Sequence, residues 1–189
     1  MKIKIGINGM GRIGRLVLRS IIEKNNKKFE IKHINNRTGP EVVSSLIKHD
    51  SIHGSLNAKI NISKNHLIIN KNKISYSQET NIENIEWNKY GVDIVLECTG
   101  KFNSKEKLNP HIKNGAKKVI VSAPCKNADK IIVFGVNESE CKKEDKIISA
   151  ASCTTNCLAP VAHVINKNFE IEKGFMTTIH AFTSDQRIL

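Results

Sequence analysis

A doubly wound, mostly parallel α/β sheet is the fold class these 189 residues predict, and three observations predict it. Short apolar segments alternate with stretches of helical periodicity, the pattern of strands joined by crossover helices. One segment, VDIVLECTG (92–100), is almost continuously apolar, as strands covered on both faces are. A glycine-spaced turn, NGMGRIG, joins the first strand to the first helix.

Lys2–Asn8 alternates apolar and polar residues over a strand's length. From Arg12 onward Ile13, Leu16, Val17, Ser20 and Ile21 recur at helical spacing, and the helix is expected to end near Asn25. FEIKHIN (29–35) returns as a second strand, parallel to the first across a right-handed crossover. Segments 59–62 and 66–74, separated by SKN, read as antiparallel strands of an insertion. The buried strand 92–100 follows, then a helix over 104–114. AKKVIVSAP (116–124), KIIVFGVN (130–137) and KIISAAS (146–152) add three more strands. Leu158, Val161, Ala162 and Ile165 mark a further helix, and the threonine-rich stretch GFMTTIHAFTSDQ reads as a strand.

Composition excludes several classes of function. Apolar content of 39% and charged content of 25% fit a globular domain with a sizeable core. No apolar run approaches the roughly 20 residues that cross a bilayer, so no membrane role is expected. MKIKIGING enters the first strand directly, which leaves no signal peptide before the fold. The five cysteines are odd in number and lack CxxC spacing, so neither a disulfide framework nor a metal site is expected and a cytoplasmic location is. The net charge of +12 raises nucleic-acid binding, but the lysines are spread along the chain without interleaved aromatics. Nucleic acid is therefore not an expected partner, although the charge favours anionic small molecules.

Gly9, Gly11 and Gly14 form G-x-G-x-x-G between a strand and a helix, the context that gives the motif force. Gly9 permits the tight turn, Gly11 lets a pyrophosphate approach the backbone, and Gly14 allows close packing of helix on strand. The first-turn N–H groups and the positive helix end then face the phosphates. A Rossmann-type dinucleotide site normally carries an acid about 20 residues further on, at the end of the second strand. Here that place is Asn36, followed by Arg37. Loss of the carboxylate removes repulsion of a 2′-phosphate, and Arg37 offers that phosphate a partner. NAD is the expected cofactor, with NADP accepted alongside it. The alternative is that Asn36 still bonds the ribose and Arg37 is only solvated.

AASCTTNCL (150–158) places Cys153 at the start of the helix that follows, where the helix dipole favours a thiolate. Ser152, Thr154 and the nearby N–H groups suit a phosphate. Cys157, one turn further on, reads as a buried packing residue. A nucleophilic thiol needs a base, and His180 in the threonine-rich stretch is the candidate. A single histidine is most often surface or core, so spacing alone leaves that pairing open.

At this point the chain closely resembles the phosphorylating glyceraldehyde-3-phosphate dehydrogenase family. INGMGRIGRLVLR, KHDSIHG, ECTGKF, GAKKVIVSAP, ASCTTNC and TIHAFTSDQRIL resemble that family's signatures, in order and over the whole chain. The resemblance implies Cys153 as nucleophile and His180 as its base. It implies a cofactor site of Asn8, Gly9, Gly11, Arg12, Ile13, Gly14, Asn36, Arg37, Thr99 and Gly100, with Ser122 near the nicotinamide. Ser152, Thr154 and Thr183 match residues that hold substrate or inorganic phosphate. The implied chemistry is thiolate addition to glyceraldehyde 3-phosphate, hydride loss to the nicotinamide, and cleavage of the thioester by inorganic phosphate to give 1,3-bisphosphoglycerate.

Two departures stand out. Asn36 replaces the family's usual aspartate, and the chain stops at Leu189, where the resemblance implies nearly as many residues again and a homotetramer. Residues 1–151 are then the dinucleotide-binding domain, and 152–189 the first helix and strand of an incomplete α+β catalytic domain with its apolar face exposed. The 189 residues alone are expected to have little or no activity. Erythrose-4-phosphate dehydrogenase, sharing ASCTTNC-like chemistry, and a dinucleotide-binding remnant without catalysis are the alternatives.

Overall fold

The computed structural model describes residues 2–183. In chain order the elements are β1 (Ile3–Asn8), α1 (Arg12–Glu23), β2 (Phe29–Asn35), α2 (Pro40–Lys48), β3 (His49–Asp50), β4 (Gly54–Ser55), β5 (Ile60–Ser63), β6 (His66–Ile69) and β7 (Asn72–Ser77). There follow β8 (Ile94–Glu97), α3 (Lys105–Lys113), β9 (Lys118–Val121), β10 (Lys130–Ile131), β11 (Ile147–Ser149) and α4 (Cys153–Phe169). Nine strands form one sheet in the order β10-β11-β9-β8-β1-β2-β7-β6-β5, and β3 pairs with β4 in a separate hairpin. Every pairing from β10 across to β7 is parallel; β7–β6 and β6–β5 are antiparallel. The fold is the doubly wound α/β sheet that the alternation of strands and helices predicts.

Chain order reverses at β1. The chain builds β2 and β7 on one side of it, then β8, β9 and β11 on the other. Parallel pairing brings the carboxyl ends of all these strands to one edge, and the crevice where the order reverses is where such sheets bind ligands. The apolar core divides into two clusters. Ile7, Leu18, Ile34, Val43, Ile47 and Leu67 form one, while Trp87, Val95, Leu108, Val119 and Ile147 form the other. Burial of each such side chain stabilises the fold by about 1.5–3 kcal/mol.

The structure departs from the sequence reading in several places. Helix α2 was not anticipated. Its signals are Pro40 in the first turn, where a missing N–H costs nothing, and Val43 and Ile47 one turn apart on the buried side. Segment 66–74 is two strands. A two-residue turn at Asn70–Lys71, with Asn70 at φ 56°, folds β6 back on β7. Strand β7 then joins the main sheet beside β2 rather than remaining in an insertion. The buried strand pairs only over Ile94–Glu97, and KIIVFGVN only over Lys130–Ile131. Beyond Ile131 the Asn137 side chain closes a turn by accepting from the Val133 N–H at 2.8 Å.

The threonine-rich stretch forms no strand over residues 174–183, where no strand among the described residues pairs with it; its remaining residues lie outside those described. Helix α4 has no buried residue, and Leu158, Val161, Val164, Ile165 and Phe169 are all exposed. Cys157 is exposed as well, not the buried packing residue expected, because nothing among the described residues packs on that face of α4.

Candidate active site

The turn from β1 into α1 makes the first half of the site. Gly9 has φ 92°, a conformation that side chains with a Cβ rarely adopt. A Cβ on Gly14 would collide with the Gly9 carbonyl oxygen, whereas one on Gly11 would meet nothing within 4 Å. The open face of Gly11 lies at the N-terminus of α1, which has no side-chain cap and no acidic residue in its first turn. Uncapped N–H groups at a positive helix end form an anion site, so the residues present fit a dinucleotide pyrophosphate.

A cavity of about 630 Å³ opens here, at the carboxyl ends of β1, β2 and β8. Among the residues singled out from the sequence, Asn8, Gly9, Gly11, Asn36, Arg37 and Thr99 line it. Arg12, Ile13, Gly14, Gly100 and Ser122 do not. Gly14 lies behind the turn, in contact with Gly9. Arg12 is held away by Asp50, whose carboxylate oxygens accept from its guanidinium at 2.5 and 3.3 Å. The same carboxylate accepts from the Ile52 and His53 N–H groups, so it ties the β3–β4 hairpin to α1. Those bonds, that from His53 above all, hold Asp50 well below the usual carboxylate range. Ile13 is exposed on the first turn of α1. Gly100, at φ 70°, follows Thr99, and Ser122 donates its N–H to the Glu97 carbonyl at the end of β9.

Sequence reasoning missed Asn35, Thr38, Glu79, Lys101 and Phe102, which also line the cavity, together with Thr80, Ile82 and Cys98. Each lies in or just beyond the end of a strand at this edge, a placement that becomes visible only once the strand order is known. Asn36 itself is partly committed: its Oδ1 accepts from the Met10 N–H at 3.0 Å, and its Nδ2 donates to the Thr38 carbonyl at 3.2 Å. Glu79 is the carboxylate on that rim, and the exposed Arg37 makes no ion pair among the described residues.

The second half of the site follows β11. Ala151, at φ 61°, turns the chain sharply between the strand and α4. Ser152 caps α4, its Oγ accepting from the Thr155 N–H at 2.9 Å. Cys153 is thereby the first residue of the helix. Its Sγ lies 3.0 Å from His180 Nε2. The His180 Nδ1–H donates to the Ala181 carbonyl at 2.6 Å, which leaves Nε2 to take a proton from the thiol. The His180 contact first, and the Thr154 N–H after it, draw the Cys153 thiol below its ordinary pKa. The bond to Ala181, then Cys153, raises His180. These opposite shifts favour a thiolate–imidazolium pair.

The other thiols differ. Burial pushes Cys98, which lines the cavity, up to about 11, and raises Cys125 too. Thr154 is half-buried beside Cys153, and Thr183 is exposed three residues beyond His180. The arrangement can form a covalent bond to an electrophilic carbon and move one proton at Nε2.

The family described as "Glyceraldehyde 3-phosphate dehydrogenase, NAD binding domain" matches residues 3–105. The description "Glyceraldehyde 3-phosphate dehydrogenase, C-terminal domain" matches residues 152–189. A glyceraldehyde-3-phosphate dehydrogenase of Geobacillus stearothermophilus is 47% identical over 190 residues, covering 100% of this chain and 56% of the relative. Those of Clostridium acetobutylicum and Mycoplasma pneumoniae are 48% and 47% identical, each covering 98% of this chain and 55% of the relative. The chain thus spans little more than half the length of the curated relatives it matches. With its NAD-binding domain matched over more than half of its residues, the chain belongs to the glyceraldehyde-3-phosphate dehydrogenase family.

Proposed function

We propose that the chain supplies the NAD site and the reactive thiol for oxidative phosphorylation of D-glyceraldehyde 3-phosphate to 1,3-bisphosphoglycerate. The observation that carries this reading is the 3.0 Å approach of Cys153 Sγ to His180 Nε2 at the start of a helix. That helix leaves the same sheet edge on which the cavity opens. The Cys153 thiolate adds to the aldehyde carbon, and His180 gives its Nε2 proton to the new oxyanion and takes it back as the carbonyl re-forms. When bound, NAD accepts the hydride released at that carbon. Inorganic phosphate, held by Ser152, Thr154 and Thr183, then attacks the thioester. The carbon–sulfur bond breaks and the Cys153 thiolate returns.

Both Cys153 and His180 are exposed, and so is the apolar face of α4. Solvent at the thioester favours hydrolysis over phosphate transfer, so these 189 residues alone turn over little. The intact assembly is a homotetramer, as expected of the family, and the five free thiols favour a reducing, cytoplasmic setting.

Glyceraldehyde 3-phosphate slows alkylation of Cys153 by iodoacetamide, read by peptide mass spectrometry, while the exposed Cys141 and Cys157 serve as internal controls. Equal alkylation of all three thiols, unaffected by the aldehyde, contradicts the reading. A neutral Asn36, and an Arg37 with no ion pair among the described residues, favour acceptance of NADP as well. Titration with both dinucleotides decides that: an NAD⁺ preference above about a thousandfold ends it.

A further inference from the structure

Glu97 ends β8 immediately beneath the cavity, with its carboxylate 1% exposed. Burial of a carboxylate is costly unless hydrogen bonds surround it. Four do. It accepts from Asn8 Nδ2 at 2.6 Å, from His111 Nε2 at 3.0 Å, and from the Thr99 N–H and Oγ1–H at 2.7 and 2.5 Å. Two of these donors, Asn8 and Thr99, line the cavity; Glu97 does not.

The bonds have one direction throughout. The Trp87 indole N–H, which can only donate, gives to His111 Nδ1 at 2.9 Å. The ring proton of His111 is therefore on Nε2, which gives to Glu97. On the other side, Asn8 spends its Nδ2 on Glu97 and so presents Oδ1 to Asn35 Nδ2 at 2.9 Å. The Asn35 oxygen is then left to accept from Ser77 Oγ at 2.7 Å and the Glu79 N–H at 2.8 Å. Trp87, His111, Asn8 and Asn35 are all buried. Trp87 at one end and the Glu79 backbone at the other fix the direction of the row, and only a residue that accepts on both oxygens fits between them at position 97.

We infer that Glu97 is a positioning residue for the dinucleotide: it fixes the orientation of the Asn8 amide and the Thr99 hydroxyl at the floor of the cofactor cavity, with His111 and Trp87 as its support. The inference rests on the reading of that cavity as the NAD site. A glutamine at position 97 sets an NH2 against one of the present donors. Opposite Thr99 the donor is a backbone N–H that cannot turn. Opposite Asn8 the amide must turn over, and Asn35 cannot follow because two donors already hold its oxygen. The misfit therefore appears in the cavity floor.

The test is NAD⁺ binding by calorimetry to the 189-residue chain and to Glu97→Gln, with near-ultraviolet dichroism to check that both are folded. Folded Glu97→Gln binds NAD⁺ about tenfold or more weakly, in keeping with loss of a charge-assisted bond; affinity unchanged or tighter overturns the inference. Should the variant not fold, the wild-type chain answers alone. Trp87 is the single tryptophan, is fully buried and does not line the cavity. Saturation with NAD⁺ shifts its indole N–H resonance through His111 and Glu97, and a resonance that stays in place at saturation overturns the inference. A wild-type chain that takes up no NAD⁺ overturns the cofactor reading and this inference with it, whereas wild-type binding with an indifferent Glu97→Gln overturns the inference only.

Discussion

His33 lies wholly inside the fold, stacked on Tyr90 at 3.8 Å, its ring nitrogens 2.9 and 2.8 Å from Ser75 Oγ and Ser77 Oγ. Burial, with Lys89 adding to it, lowers its pKa from 6.5 to about 4. The unfolded chain binds that proton near pH 6.5 and the folded chain does not, so stability falls as pH drops from about 6.5 to about 4. The full loss is on the order of 3 kcal/mol. Urea unfolding at pH 7 and pH 4.5 reads it directly. His33→Gln flattens that window, and equal wild-type stability at the two values contradicts the argument. Single residues were legible in the sequence where chemistry narrows the choice. Cys153 and His180 stood out as candidates because few residue types make a nucleophile and its base, but it was the family resemblance, not spacing, that paired them. Glu97 was not, although ECTG was in plain view, because a buried acid is defined by its donors, and those come from β1, α3 and Thr99. Cys157 was misread because its burial depends on a neighbour for α4 that is absent among the described residues.

At the level of elements, the β1–α1 turn was read almost entirely from its glycines, since positive φ and close approach restrict residue type wherever they occur. Gly14→Ala puts a methyl group into the Gly9 carbonyl. It costs about 1–3 kcal/mol, in line with overpacking elsewhere, and widens the turn. Thermal unfolding and NAD⁺ titration of that variant are expected to fall together, and a variant that keeps both at wild-type values shows that the turn tolerates the change. Helix α2 and the split of 66–74 into β6 and β7 escaped notice for a different reason. Nine residues opening on Pro40, just after Gly39, look like loop until Val43 and Ile47 are seen to share a core with Ile7 and Leu67. The Asn70 turn shows only in its backbone angle.

Across the whole molecule, the sheet order explains both what the site contains and what the sequence could not give. Asn8 and Gly9, Asn35 to Thr38, Glu79 and Thr80, and Cys98 and Thr99 meet at one cavity because their strands are parallel neighbours. The apolar face of α4 is exposed along its length, from Leu158 through Val161 and Ile165 to Phe169, and contiguous apolar surface of this kind drives association. Sedimentation of the chain therefore depends on concentration. Val161→Glu with Ile165→Glu reduces that association and leaves NAD⁺ affinity unchanged; association that persists in the double variant places it elsewhere. The central claim remains the pairing of Cys153 with His180. The most direct test is the pH profile of Cys153 alkylation by iodoacetamide, in wild type and in His180→Ala. With the thiol lowered and the imidazole raised, the wild-type rate rises at a pH below that of free cysteine, and His180→Ala moves the midpoint up. A wild-type midpoint equal to that of free cysteine, unmoved by the substitution, contradicts it.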